Sequence, residues 1–389
     1  MKTNALKRCF PLLVAITIIT LLAGCAGSAT QIPTVSGPVN TEPVVASPTT
    51  PPVQVSVPTT APAANTTTTA AANNGEPTIY RAVLRPATKN WHIGYTDGGS
   101  TFDVSKIRWK SIQDAAAVAG VTMVYCDNAY PDLQAPIRCA EQMVTQKVDL
   151  VISSNWTGDL NSRISEIYKA ANIPFIAWDV TSPGSRSYYG IDTWTAGTIA
   201  GDYAGKWALT NCQIDQVDIV LMTNPAVGTF PLMKLSGFEA GVRSWLPGIP
   251  PERVYTITGG STADEGLSSM DAWLTAHPDS HCVLVTAINN AGASGASSAF
   301  TTSGRVKDGC IVGQGADAPM FTEFVTPETK SAYKASVSDS PWKDGNALIP
   351  MAVDILEGVN VPPISLKVHE IITRANINDT VPTQYQIWP

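Results

Sequence analysis

The stretch Ala171-Asn172-Ile173-Pro174-Phe175-Ile176-Ala177-Trp178-Asp179 is the part of the sequence that says most about the fold. A short apolar run from Pro174 to Trp178 predicts a β-strand. The run ends at the carboxylate of Asp179. In parallel α/β sheets ligands bind outside the carboxyl ends of the strands, so Asp179 is a candidate ligand contact.

Similar apolar runs alternate with amphipathic stretches on both sides of this segment. Further strands are predicted at 91–95, 121–126, 149–153, 217–222, 253–258, 282–287 and 310–313, with another at 333–338. Helical patterns lie at about 104–119, 133–147, 158–171, 196–209 and, more weakly, 289–303. This alternation predicts βαβ units with parallel sheets. So many strands exceed one compact sheet, and the sequence therefore predicts an α/β protein with two lobes.

Nearly every predicted strand runs into a carboxylate, an amide or an aromatic side chain. The candidate ligand contacts at these positions are Asp97, Asn155, Trp156, Asp179, Asn289, Asn290, Asp317 and Asp339. Each could instead cap a helix or form a turn. Together they suit a sugar, because carboxylates accept hydrogen bonds from hydroxyls, amides donate and accept, and indole covers C–H edges.

Three short motifs resemble the ribose-type (type I) periplasmic solute-binding proteins. They are the segment 171–179, the stretch Ile199-Ala200-Gly201-Asp202-Tyr203-Ala204, and Leu274-Thr275-Ala276-His277-Pro278-Asp279 followed by a strand and Asn289-Asn290. Their order and spacing agree with the family over about residues 90–375. The resemblance implies two doubly wound parallel-sheet lobes joined by a three-strand hinge, closing over one ligand. It places lobe one at 79–192 plus 340–361 and lobe two at 193–339 plus 362–389.

The resemblance also implies roles for single residues. Asp179 occupies the place of a sugar-hydroxyl acceptor, Asn289 that of a hydrogen-bonding asparagine, and Asp339 that of a polar residue at the last crossover. The loop 96–102, ending in Phe102, matches an aromatic stacking loop. Two arginines of the family pattern are absent, because Val180 follows Asp179 and the second position falls near Leu232. This departure argues against ribose itself as the ligand.

Five cysteines remain once Cys9 and Cys25 are set aside, so at least one is unpaired within the chain. The strand order of the family would make the strands that begin at Cys282 and Cys310 adjacent, which implies a disulfide between them. A second bridge is predicted between Cys126 and Cys139, with Cys212 left free. The alternative is that all five are small buried thiols.

The first part of the chain has the features of an export signal. Lys2, Lys7 and Arg8 precede an apolar run from Phe10 to Leu22, which is short for a membrane span and suits a signal peptide. The run ends in Leu22-Ala23-Gly24-Cys25, which resembles the bacterial lipobox, so residues 1–24 are predicted to be removed and Cys25 lipidated. Residues 25–78, rich in Thr, Pro and Ala, are predicted to form a disordered tether. The alternative is an ordinary secretory signal with an incidental cysteine.

Composition and motifs exclude several other classes of protein. The formal net charge is −7, with no basic patch in the globular part, which argues against nucleic-acid binding. The four histidines show no metal-ligand spacing, and the sequence contains no nucleophile elbow and no P-loop. We therefore expect no catalytic residues, no metal and no cofactor.

The sequence predicts a membrane-anchored extracytoplasmic lipoprotein that is a monomer. Its expected partners are a sugar-like ligand and an ABC permease with its ATPase. The alternative is a lipoprotein that presents its ligand to a membrane sensor or takes up an autoinducer-type signal. Pentose, hexose, inositol, autoinducer-like furanose and nucleoside all remain open as ligands.

Overall fold

The structure, a computed structural model, describes residues 79–100, 102–129, 132–155, 160–225 and 232–388. The predicted signal peptide, the lipidated Cys25, the tether and Trp156 lie outside these residues. Within the described ranges, no helix combines the length and apolar character that crossing a membrane would require.

The first sheet is wholly parallel. Its strands are β1 (His92–Asp97), β2 (Thr122–Asp127), β3 (Leu150–Ser153), β4 (Phe175–Trp178), β5 (Ser187–Gly190) and β11 (Ile364–Leu366). They lie in the order β11-β5-β4-β3-β1-β2. The segment that ends at Asp179 therefore forms an interior strand, as its apolar run predicts.

Helices cover both faces of this sheet. They are α1 (Asp103–Ala119), α2 (Ala135–Thr145), α3 (Asn161–Ala170) and α9 (Asp344–Leu356). One core cluster joins Ile112 of α1 and Leu348 of α9 to Ile93 of β1, and another joins Met143 and Ile164 of α2 and α3 to the opposite face. This is the doubly wound arrangement predicted for a lobe.

The second sheet repeats the pattern with one exception. Its strands are β6 (Val217–Thr223), β7 (Val254–Thr258), β8 (Cys282–Ala287), β9 (Gly309–Gln314), β10 (Tyr333–Ser338) and β12 (Glu370–Thr373). They lie in the order β12-β10-β9-β8-β6-β7, and β12 runs antiparallel to β10. The predicted α/β fold with two parallel-sheet lobes is thus confirmed, with an antiparallel edge strand added.

The helices of the second lobe include an unusually close pair. They are α4 (Thr193–Asn211), α5 (Leu232–Trp245), α6 (Ala263–Ala276), α7 (Asn290–Thr302), α8 (Ala318–Val325) and α10 (Ile377–Thr380). A Cβ atom on Gly197 would lie 2.0 Å from the carbonyl oxygen of Lys234, and one on Gly201 would lie 2.0 Å from that of Phe238. Only glycine permits this approach, which fixes the first turn of α5, and with it Lys234, against α4.

The chain passes between the lobes at three points. The first is at Asp192, which caps α4 by accepting a hydrogen bond from the Thr195 amide, and the second lies between β10 and α9. The third lies between β11 and β12. The predicted boundary at Pro362 is wrong, because Ile364–Leu366 pairs with β5 in the first sheet and the crossover comes only after it.

The disulfides agree with the prediction in one case out of two. Cys126 and Cys139 are bonded, with 5.5 Å between their Cα atoms, as predicted. Cys282 is bonded to Cys212, and Cys310 is a free buried thiol, so the predicted Cys282–Cys310 bridge and the free Cys212 are both wrong. The strands are adjacent, but Cys310 lies opposite Leu284 rather than Cys282, and α4 delivers Cys212 to the start of β8.

Candidate functional site

The carboxyl ends of the strands carry the polar residues from which the site is built. Asp97 ends β1, Asn155 follows β3 and Asp179 follows β4, all in the first sheet. Asn289 and Asn290 follow β8, Asp317 follows β9 and Asp339 follows β10 in the second sheet. Asp339 also lies on a crossover, so it belongs to the region where the two lobes meet.

Arg108 of α1 is the centre of a buried ionic cluster in that region. Its Nη2 lies 2.8 Å from Asp339 Oδ2, its Nε lies 3.2 Å from Asp344 Oδ2, and its Nη1 lies 3.7 Å from Asp179 Oδ2. The guanidinium is almost fully buried. A buried guanidinium requires such partners, because an unpaired charge in the interior is very costly.

Lys367, in the third crossover, completes the cluster from the other side. Its ammonium lies 3.1 Å from Asp339 Oδ2 and 3.0 Å from Asp344 Oδ2. The ring of Trp178 lies beneath both cations, with Arg108 Cζ at 5.0 Å and Lys367 Nζ at 5.6 Å from its centroid. The Trp178 indole donates a hydrogen bond to the Thr96 carbonyl, which holds the ring in place as a cation–π platform.

The pKa values of the two shared carboxylates shift in opposite directions, although burial raises both. Burial opposes the ionisation of Asp339, but Lys367 and Arg108 outweigh it and hold the pKa of that carboxyl well below its usual range. Burial raises the pKa of Asp344 to about 6, against the opposing charges of Lys367 and Arg108. Asp339 is therefore an anion at neutral pH, fixed in place by two cations.

Asp179 is held by its backbone, which leaves its carboxylate available. Its amide donates to the Tyr189 carbonyl, and its own carbonyl accepts from the Tyr188 hydroxyl. Its φ of 64° is in the left-handed region, which turns the chain sharply at the end of β4. The carboxylate accepts no hydrogen bond from the residues that the structure describes, so Asp179 is not a helix cap there.

Asp339 also has acceptor capacity to spare. Arg108 and Lys367 both contact its Oδ2, and no described residue donates a hydrogen bond to its Oδ1. Each carboxylate oxygen can accept from a further donor. Asp179 and Asp339 thus present free acceptor atoms in the region where the lobes meet.

Lys234 brings a cation to the same region from the second lobe. It lies in the first turn of α5, and burial lowers the pKa of its ammonium, while Asp339 and Asp179 oppose that change. Within the described ranges, no carboxylate forms an ion pair with it. Lys234 therefore lies close enough to Asp339 and Asp179 for their charges to act on its ammonium.

Some of the predicted ligand contacts are engaged within the protein. Asn289 caps α7 through the Gly292 amide and donates to the Ser261 carbonyl. Asn290 donates to Asp317 and accepts from Tyr333 and Ser336. These bonds give both asparagines a structural role in the second lobe, and their predicted role as ligand contacts stays a prediction.

The remaining predicted residues have mixed surroundings. Asp97 is buried and accepts from its neighbour Gly98 and from Tyr95, and burial raises the pKa of its carboxyl while Arg108 opposes the shift. Asn155 donates to Asn161, and Phe102 is partly exposed just before α1. Burial raises the pKa of Asp317, against its hydrogen bond from Asn290.

Several buried polar atoms near the strand ends and the third crossover have no hydrogen-bond partner among the described residues. They are Ser154 Oγ, Gln314 Nε2 and His369 Nε2. Buried polar groups are nearly always hydrogen-bonded, to protein or to water. Such orphaned atoms are typical of a site that is completed by water or by a polar ligand.

Sequence reasoning missed the three cations of the site. Arg108 could have been found, because Ser105, Arg108, Ser111, Ile112 and Ala115 recur at helical spacing and form the buried face of α1. A charged residue on such a face needs a buried partner. Lys234 and Lys367 carry no comparable signal, since each lies at the edge of an element.

We expect the raised pKa of Asp344 to make stability depend on pH. The folded protein holds this proton more tightly than the unfolded chain, whose carboxyl has a pKa of about 3.9. The Asp344 carboxyl therefore contributes to the free energy of unfolding at acid pH, and this contribution is lost as the pH rises from about 4 through about 6. Asp344→Asn should flatten this decline when the free energy of unfolding in urea is measured across that range. Asp202→Asn, at an exposed carboxylate, should keep the wild-type decline, and an unchanged slope in Asp344→Asn would contradict the assignment.

Comparison with known proteins agrees with this architecture. A family model described as a periplasmic binding protein domain matches residues 103–360. None of the curated proteins compared with the chain matches it.

Solved structures of solute-binding proteins are similar in fold. A glucose-galactose binding protein from Geobacillus stearothermophilus is 20% identical with a TM-score of 0.59, covering 75% of this chain and 99% of that one. An ABC transporter solute-binding protein from Bacillus halodurans with bound myo-inositol is 17% identical with a TM-score of 0.58, covering 75% and 97%. A carbohydrate transporter solute-binding protein from Agrobacterium radiobacter in complex with D-arabinose is 21% identical with a TM-score of 0.58, covering 75% and 97%. At these identities the likeness concerns the fold.

Proposed function

The chain belongs to the periplasmic binding protein family, and on that premise we propose that it captures a neutral, polyhydroxylated small molecule between its two lobes. The ligand is a sugar or a sugar-like polyol. The protein delivers it to the permease and ATPase of an ABC importer and does not transform it.

The free acceptors of Asp179 and Asp339 are the observation that carries this proposal. Both carboxylates are anchored, by the backbone in one case and by two cations in the other, yet each keeps an oxygen without a partner among the described residues. Anchored carboxylates are strong acceptors for hydroxyl donors. Lys234, whose ammonium both carboxylates influence electrostatically, would add hydrogen-bond donors, which suits hydroxyls because they both donate and accept.

Charge balance favours a neutral ligand. Three cations, Arg108, Lys234 and Lys367, face the carboxylates of Asp179, Asp339 and Asp344. The formal charges of these six groups cancel, and Arg108 and Lys367 already have carboxylate partners, so neither of these two cations is left for an anionic ligand to neutralise.

The ligands named for similar structures support the same class of molecule. One is described as a glucose-galactose binding protein, and others were solved with myo-inositol and with D-arabinose. All of these are uncharged and carry several hydroxyl groups. The proposed contacts in this chain are Asp179, Asp339 and Lys234, with Asp97, Asn155 and Phe102 beside them.

The proposal includes a place for the protein in the cell envelope. The export signal and the lipobox-like Leu22-Ala23-Gly24-Cys25 support an extracytoplasmic lipoprotein anchored through Cys25. A lipid anchor with two or more acyl chains is sufficient for stable membrane attachment. Residues 25–78 would then tether the binding lobes near the permease.

A thermal-shift screen tests the ligand class. Pentoses, hexoses, inositols, furanose signals and nucleosides would be compared with sugar acids and amino sugars of matched size. A ligand present at about 100 times its Kd should stabilise the protein by ~2.7 kcal/mol. Stabilisation by a neutral polyol supports the proposal, whereas stabilisation only by charged compounds would contradict it.

A further inference from the structure

Residues 374–388, which we call the strap, follow β12 and are firmly anchored in the second lobe. The Arg374 guanidinium donates to three main-chain carbonyls there, those of Glu323 and Tyr333 at 2.6 Å and that of Thr326 at 3.3 Å. Since the donors of one rigid guanidinium are shared among three carbonyls, the start of the strap is fixed to the second lobe.

Apolar side chains continue this attachment along the strap. Ile377, Val381 and Tyr385 are buried in the core cluster of the second lobe. The ring of Trp388 meets that of Phe321 edge-on, with 5.0 Å between the centroids. The strap thus moves with the second lobe as one packed unit.

The hydroxyl of Tyr385 nevertheless bonds to the first lobe. It donates to Asp114 Oδ2 in α1 at 2.8 Å. Lys110, one turn earlier, forms an ion pair with Asp114 at 2.9 Å and lies 5.7 Å from the centre of the Tyr385 ring. Burial and the bond to Asp114 raise the pKa of Tyr385 to about 12, so its hydroxyl keeps its proton at physiological pH.

Helix α1 itself packs on both lobes. Its Ile112, Ala115 and Ala116 lie in the core of the first lobe, whereas Ile107 belongs to the core cluster of the second. The bond from Tyr385 to Asp114 therefore reinforces an apolar contact between the lobes. Both contacts lie on the same helix, so separating the lobes at α1 would disturb them together.

We propose that the strap is an interlobe latch, which holds the lobes in the arrangement of this structure through Tyr385 and Asp114. Breaking the latch would favour arrangements in which the lobes are further apart, without altering any proposed ligand contact. Only the effect of the latch on ligand capture rests on the proposed function. If the protein binds a ligand between its lobes, its apparent affinity would scale with the fraction of molecules whose lobes are arranged for binding.

Distances between spin labels in the ligand-free full chain test the latch directly. Gln134→Cys in the first lobe and Asp264→Cys in the second introduce label sites that are exposed and lie at helix starts. Tyr385→Phe removes only the hydroxyl, and Asp114→Asn removes the charged acceptor from the opposite lobe. In each variant the ratio of long to short label distances should rise about fivefold, which corresponds to ~1 kcal/mol.

Tyr80→Phe is the matched control. The Tyr80 hydroxyl also donates to an aspartate, Asp354 at 2.5 Å, but both residues lie within the first lobe's packing. This variant should leave the distances unchanged. The latch is refuted if Tyr385→Phe and Asp114→Asn also leave them unchanged, even where thermal stability falls. Because no ligand is present, failure of the sugar screen would not affect this result.

Discussion

Arg108→Met should lower the free energy of unfolding by ~3–5 kcal/mol, the range found when one partner of a buried ion pair is removed. Methionine fills much of the space of the aliphatic stem but supplies no charge. Asp344 would retain Lys367 alone, Asp339 would lose its 2.8 Å contact, and Asp179 would lose its ion pair at 3.7 Å. Urea unfolding followed by tryptophan fluorescence measures the loss of stability. Because Trp178 lies beneath the guanidinium, its fluorescence also reports on the cluster.

Arg138→Met provides the comparison. Arg138 pairs with Asp132 at 2.6 Å, a shorter contact than any made by Arg108, but both side chains are exposed. Exposed pairs contribute little to stability, because water screens them and the side chains lose entropy. Equal losses in the two variants would show that the cluster around Arg108 is not the desolvated network described above.

The fold was predictable because the apolar runs that form the strands are long enough to be recognised in the sequence. Segments such as Val217–Thr223 and Cys282–Ala287 are apolar over most of their length and are separated by helices of regular period. Strand β11 has only three residues, Ile364–Leu366, and follows two prolines, so it gives no period of its own. This short strand is the reason that the last crossover was predicted too early in the chain.

Register was harder to predict than strand order. Cys282 and Cys310 do lie in adjacent parallel strands, but the strands are offset, so that Cys310 is opposite Leu284. A sequence pattern gives no account of such an offset, because sliding one strand by two residues leaves the same side chains on the same face. Cys212 became the partner because α4 ends beside β8, which is a consequence of tertiary packing.

Two of the three carboxylates in the ionic cluster were predicted from the sequence, whereas Asp344 and the cations were not. Asp179 and Asp339 follow strands, and a parallel sheet gathers such residues at one edge. Family resemblance directed attention to Val180 and Leu232 as the expected places for arginine. The structure instead supplies the guanidinium from inside α1, at Arg108, and an ammonium from Lys234. Different helices or loops can place a cation at the same location in the fold. The position of a basic residue along the chain therefore does not show whether it reaches the site.

Asp179→Asn should weaken binding of the best ligand from the screen about 10- to 100-fold, while the melting temperature of the empty protein changes little. Hydrogen bonds to a charged group are worth ~1.5–3 kcal/mol, and an amide replaces one carboxylate oxygen with a donor. The melting temperature of the ligand-free protein should change little, because Arg108 keeps its closer contacts with Asp339 and Asp344. Isothermal titration calorimetry measures the affinity, and differential scanning fluorimetry measures the melting temperature.

The choice of asparagine separates loss of the ligand contact from strain in the backbone. At a φ of 64°, alanine would be strained by ~1–2 kcal/mol, whereas asparagine adopts the left-handed region readily. Asp179→Ala would therefore confuse a folding effect with a binding effect. Asp202→Asn, at an exposed carboxylate of α4 paired with Lys206, makes the same chemical change away from the site and should leave the affinity unchanged. If Asp179→Asn binds as tightly as the wild type, the free carboxylate at the end of β4 is not the hydroxyl acceptor, and Asp339 alone would have to fill that role.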